Sequence, residues 1–170
     1  MDSQTLQLFT QQLAHWAESA IAEGRSPFRK VETFPRIVTA AGELRPPLVF
    51  WINRDSFMAG GVVFFPDSDM EQDADKGRAC AEALGLRHFV TWGSRDVVFW
   101  EVQGQSLLRG KSLQVCSDAS ASADQFMSAL ARVLDELKIL SVTGALPPDR
   151  RSPYYLSHFC IGAGAQVTTK

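Results

Sequence analysis

Residues 69–102 read DMEQDADKGRACAEALGLRHFVTWGSRDVVFWEV. The spacing predicts a helix over about Asp69–Leu84, a glycine stop at Gly85 and a strand over Leu86–Trp92. A tight turn follows at Gly93-Ser94-Arg95-Asp96, then a second strand over Val97–Val102. Ala74, Gly77, Ala81 and Leu84 fall on one helical face, with Cys80 at its edge. Such small residues predict a helix lying close on a sheet. Gly77 costs about 1 kcal/mol of helix propensity relative to alanine, and close approach is the reason to keep it. Leu86, His88, Val90 and Trp92 alternate with Arg87, Phe89 and Thr91, and Val97-Val98-Phe99-Trp100 is apolar throughout. With strands before the helix as well, the strand–helix–strand order implies a mixed sheet.

Upstream, Leu6, Phe9, Leu13, Trp16 and Ala20 recur at helical steps, predicting a helix over Gln4–Glu23 that stops at Gly24. Phe28, Lys30, Glu32 and Phe34 are too mixed for a clean strand. Ile37-Val38-Thr39 is β-prone, and Ala41-Gly42-Glu43 reads as a turn. Leu48-Val49-Phe50-Trp51-Ile52 is a continuous apolar run, as expected of a strand covered on both faces. Asn53-Arg54-Asp55-Ser56 is turn chemistry, and Gly60-Gly61 leads into Val62-Val63-Phe64-Phe65, a second buried strand antiparallel to the first. Downstream, Gln103–Val115 carries a weak pattern, with Leu113-Gln114-Val115 as an edge strand. Phe126, Leu130, Val133, Leu137 and Leu140 form the buried stripe of a last helix over about Asp124–Leu140. Residues 1–143 read as one α/β domain, a central mixed sheet flanked by helices in three layers. Residues 144–170 read as a tail or the start of a following segment. In that tail Tyr154, Tyr155 and Phe159 are apolar enough to need a partner, either this domain or another.

A chain of 170 residues is of single-domain size and can hide about 70% of its unfolded surface, enough for a core without staples. A net charge of −2 supplies no global pull toward nucleic acid. Cys80, Cys116 and Cys160 are odd in number and widely spaced, which argues against a disulfide framework or zinc site and fits a reducing cytoplasm. No apolar run is long enough for a bilayer, and the first residues lack the marks of a signal peptide.

Most familiar chemistries fail on spacing. Gly104–Ser112 has five residues between its glycines where a phosphate loop has four, and β-prone sequence where that loop opens a helix. Asp67, Asp69, Glu71, Asp73 and Asp75 alternate as in a calcium loop. The sixth position, which should be glycine, is Gln72, and the twelfth, which should be glutamate, is Arg78. An acidic first turn of a helix explains the run. His15, His88 and His158 have no triad partners at useful spacing, and no Gly-x-Ser-x-Gly or Gly-x-Gly-x-x-Gly occurs. No metal set is legible.

One resemblance remains. The order helix, strand pair, helix with Gln72 in its first turn, strand ending at Thr91-Trp92-Gly93, then an apolar strand with Trp100, resembles restriction-endonuclease-like domains. It is similar in particular to the N-terminal nuclease domain of type I restriction R subunits, over about Leu44–Val102. The resemblance implies a mixed sheet between helices. It also implies an active site with Pro-Asp on one strand and Glu-x-Lys on the next, two carboxylates holding Mg²⁺ and a lysine orienting water. Here the first position reads Pro47-Leu48. The second reads Val62-Val63-Phe64 or Val63-Phe64-Phe65.

Three functions follow as expectations. The first is a catalytically inactive nuclease-like domain, a DNA- or protein-binding part of a restriction or defence protein. It would need no cofactor and would contact phosphates through Arg25, Arg29, Lys30, Arg36, Arg109 and Lys111. The second is an active Mg²⁺-dependent nuclease with its site relocated to Glu23, Asp55 and Lys76, although Lys76 lies nearly opposite the buried face of its helix. The third is a protein-interaction module using the aromatic tail.

Overall fold

A computed structural model describes residues 3–24, 26–66, 70–93, 95–115 and 122–143. In chain order the elements are α1 (Ser3–Glu23), β1 (Lys30–Thr33), β2 (Ile37–Thr39), β3 (Gly42–Leu44), β4 (Leu48–Asn53), β5 (Met58–Phe64), α2 (Met70–Ala83), β6 (His88–Trp92), β7 (Asp96–Gln103), β8 (Ser106–Gln114) and α3 (Ala123–Thr143). Six strands form one sheet in the order β1-β4-β5-β6-β7-β8, and β2 pairs with β3 in a separate hairpin. Neighbours in the large sheet are antiparallel except β5 and β6, which run parallel with α2 as their crossover. Helices α1 and α3 cover one face, while α2 and Ile37 of β2 cover the other. This is the three-layer α/β architecture that the sequence predicts. Cys116, the link beyond it and the whole of 144–170, with Tyr154, Tyr155 and Phe159, lie outside the described residues.

The middle of the sheet follows directly from the apolar runs. Leu48, Val49, Phe50 and Trp51 of β4 are all buried, as is every residue of β6 from His88 to Trp92. Alternate side chains enter opposite cores. Leu48, Phe50, Val63, Val90 and Trp92 pack beneath α1 and α3, while Val49, Trp51, Val62, Phe64 and Phe89 pack beneath α2. His88 is buried with its Nε2 3.2 Å from the carbonyl oxygen of Gly60, a sheet histidine with a local partner.

The edges of the sheet differ from expectation. Lys30–Thr33 is a strand despite its mixed composition, because β1 is an edge strand and only Val31 is fully buried. Gln103–Val115 is no loop with one short strand. It holds a nine-residue strand, β8, laddered to β7 from Ser106 to Gln114. Only Leu113 on that strand is buried, so the hydrophobic pattern that would announce it is missing. Gly104 sits at the turn with φ +60°, so the glycine-bounded segment is a β-hairpin and presents no helix N-terminus to a phosphate.

Helix α1 is rotated from the predicted stripe. Thr10, Leu13, Ala14 and Ala17 are its buried residues, while Phe9, Trp16 and Ala20 pack at the borders. The small residues let the axis approach the sheet, and the large ones straddle it. At the start of α3, Ser122 and Gln125 form a reciprocal capping box, with Ser122 N–H donating to Gln125 Oε1 (2.7 Å) and Gln125 N–H to Ser122 Oγ (3.3 Å). Gly85 ends α2 in the left-handed region at φ +68°, and the Leu86 N–H donates to the Ala81 carbonyl at 2.8 Å.

Glycines set the distance between layers. A Cβ on Gly77 would lie 2.3 Å from Cε2 of Phe89, so α2 rests directly on that ring. Gly60 and Gly61 lie inside β5, not ahead of it. Added Cβ atoms there would come within 2.3 Å of Phe28 and 2.8 Å of Leu137. Gly77→Ala should therefore destabilise the fold by about 1–3 kcal/mol despite the gain in helix propensity. Urea unfolding of Gly77→Ala and of the double variant Gly77→Ala/Phe89→Leu checks this, with the second expected to recover part of the loss.

Candidate functional site

The position implied by the Pro-Asp and Glu-x-Lys pattern is built by the antiparallel pairing of β4 and β5. Leu48 stands directly opposite Val63, and Val63 is in turn level with Val90 of the parallel strand β6. Leu48, Val63 and Val90 are 0%, 1% and 0% exposed. The pairing also selects between the two alignments. Val63 and Phe65 belong to the core that holds Leu48, whereas Val62 and Phe64 face the α2 layer. Of the two readings, Val63-Phe64-Phe65 is the one that puts its outer residues on the face of Leu48. Phe65 packs its ring 5.1 Å from Phe9, and Phe9 lies 5.3 Å from Phe126, so rings from β5's end, α1 and α3 close this corner. Mg²⁺ binds through oxygen ligands and keeps several waters. These hydrocarbon side chains offer neither, and the position does not fit the ion.

The residues of the relocated set belong to three different parts of the chain: the end of α1, the β4–β5 turn and α2. Asp55 is exposed in the turn between β4 and β5, beyond the end of β4 that lies opposite Leu48, with about 17 Å of strand between Leu48 and Asn53. Glu23 is the exposed last residue of α1. Lys76 is on α2 with 49% of its side chain exposed, 3.5 Å from Asp73, and points to solvent as its helical position predicts. Among the described residues no group of three or more His, Cys, Asp or Glu is placed to hold a metal.

The candidate phosphate-contacting cations occupy three places, and Arg25 lies outside the described residues. Arg29 and Lys30 are exposed at the start of β1, where Arg29 Nη1 donates to the Ser26 carbonyl at 3.0 Å. Arg36 pairs with Glu43 at 2.6 Å beside the β2–β3 hairpin. Arg109 lies 3.5 Å from Asp96, and Lys111 is ion-paired with Glu136 of α3. The last two are on β8, the opposite edge of the six-stranded sheet from β1, about 24 Å away across five strand spacings. Arg29 and Lys30 adjoin at β1, while Arg109 and Lys111, two residues apart on β8, each stand beside an acid.

Two features escaped the sequence reading. Arg54 lies with its guanidinium 4.6 Å from the centre of the Trp51 ring and pairs with Glu32 at 2.6 Å. It ties the β4–β5 turn to β1, a relation that the spacing of 22 residues conceals. A cavity of about 240 Å³ between the sheet and α3 is lined by Arg87, His88, Glu101, Lys111, Glu136 and neighbouring apolar groups. Its residues come from four elements with no shared motif.

The fold is restriction-endonuclease-like. Among solved structures it is similar to the type IIG restriction endonuclease BpuSI, with a TM-score of 0.60 at 10% identity over 81% of this chain. The chain spans only 17% of that enzyme's length. The cryo-EM structure of the DrdV–DNA complex aligns more loosely, with a TM-score of 0.43 at 19% identity over 82% of this chain and 11% of that one. The sequence matches no protein-family model and no curated protein.

Two predictions follow from these burials. Leu48→Asp should cost about 3–5 kcal/mol by leaving an uncompensated charge in the core, and chemical unfolding at neutral pH measures it. Burial of Cys80 raises its thiol pKa to about 11. The native thiol should thus react with disulfide reagents at pH 8 far more slowly than the unfolded chain, measured by stopped-flow labelling. Because the folded pKa is raised from 9.0, its contribution to stability should decline between pH 9 and about 11.

Proposed function

We propose that this chain is a nuclease-like domain without phosphodiesterase activity, acting as a binding part of a restriction- or defence-type protein. The observation that supports this reading is the facing pair Leu48 and Val63, 0% and 1% exposed at the place where the resemblance implies metal-holding carboxylates. Converting that pair to Asp and Glu would place two like charges opposite each other in hydrocarbon. The cluster that surrounds them is hydrocarbon, with Phe9, Phe65 and Phe126 at its margin. DNA is the partner suggested by the fold's likeness to a restriction enzyme, and Arg29 and Lys30 are the cations best placed together for it.

The purified chain should leave plasmid and single-stranded DNA intact with Mg²⁺ or Mn²⁺. Cutting that tracks with the protein and disappears in Glu23→Ala or Asp55→Ala would replace this reading with the relocated-site nuclease. DNA binding, measured by fluorescence anisotropy, should fall as salt rises. The slope of log affinity against log salt should shrink by about 1–2 in Arg29→Ala/Lys30→Ala. A salt-independent association, or one unchanged in that variant, would remove these two residues from the interface.

A further inference from the structure

The end of the sheet opposite Leu48 carries a surface that the binding reading does not use. The 240 Å³ cavity adjoins a second hollow of about 330 Å³, and the two share Arg87, His88 and Leu140. Ile52, Met58 and Leu86 extend the apolar floor of the second hollow, and Ser141 lines it from α3. Met58 is 52% exposed, beside Phe57 at 42%. An apolar side chain so open at the head of a central strand is a surface that a partner would cover. Polar groups stand in the same place: Ser141 Oγ donates to the Leu137 carbonyl at 2.6 Å and lies 3.2 Å from the Gly60 carbonyl oxygen, which is also 3.2 Å from His88 Nε2.

We propose that this groove is the docking site for the segment 150–162 of the same chain, seated through Tyr154, Tyr155 and Phe159. Three observations select this occupant. The first is position: Leu140 and Ser141 line the groove within the last turn of α3, so the chain that follows Thr143 starts at its rim. The second is length: Tyr154 comes eleven residues after Thr143, enough for about 36 Å of extended chain, so reach places no restriction. The third is chemistry. Tyrosine has an apolar ring and a polar tip, and this groove combines an apolar floor with Arg87, His88 and Ser141. Tethering supplies the rest. At an effective concentration of about 1 mM, a segment with a Kd near 0.1 mM in trans would fill the site about nine-tenths of the time. The inference is independent of the DNA reading.

Hydrogen exchange on the full chain tests it, comparing the wild type with Tyr154→Ser/Tyr155→Ser/Phe159→Ser. Amides at 57–60 and 85–88 should exchange at least about tenfold faster in the variant, while those of β7 are unchanged. The same protection should persist from about 1 to 100 µM protein, with the chain monomeric by light scattering, as an intramolecular contact requires. Equal exchange in the two proteins overturns the proposal. Protection that appears only as concentration rises, together with dimer mass, also overturns it and assigns the groove to a second copy.

Discussion

Three strands in the middle of this sheet have no solvent side. β4, β5 and β6 meet α1 and α3 on one face and α2 on the other, and Leu48, Val63 and Val90 lie level across them in hydrocarbon. The rest of the structure depends on that double burial. It holds the parallel β5–β6 pair together, it requires the two flanking layers, and it draws α2 onto Phe89 through Gly77. Burial of apolar side chains on both faces is also the largest favourable contribution such a sheet can collect.

The same burial decides the chemistry available at its edge. Here Leu48 and Val63 stand opposite each other on β4 and β5, and both are buried hydrocarbon. Two carboxylates installed there would have to be desolvated without a counter-charge, so the apolar residues are consistent with the packing around them. Charged residues meanwhile pair at the perimeter, as Arg36–Glu43, Arg54–Glu32 and Arg109–Asp96 do near solvent. Pairs of that kind add little to stability and leave charge within reach of a partner.

The perimeter is also where binding surfaces must lie in such a protein. The β1 edge with Arg29 and Lys30 and the groove at the head of β5 and β6 are separate places with different chemistry. One is cationic and exposed, and the other is an apolar floor with polar walls.

How much of this was legible in residues alone depends on how many faces each segment buries. β4 and β6 were readable because a strand covered on both sides must be apolar at every position. α2 was readable because Gly77, Ala81 and Leu84 repeat at helical steps. The capping box of Ser122 and Gln125 was there to be read but lay in a stretch of small polar residues. β1 and β8 were obscured, since an edge strand is held by its ladder to a neighbour and needs only one or two buried side chains. Sequence order likewise could say that Leu48 and Val63 were near the expected site, but the choice between two alignments awaited the β4–β5 register. By itself the sequence determined the layers and the buried, apolar middle of the sheet, because those are properties of local composition and period. Only the tertiary structure decided that Arg29 and Arg109 lie on opposite edges, that Arg54 covers Trp51, and that Arg87, His88 and Leu140 share one groove. Those relations join residues far apart in the chain, and pairing and packing alone bring them together.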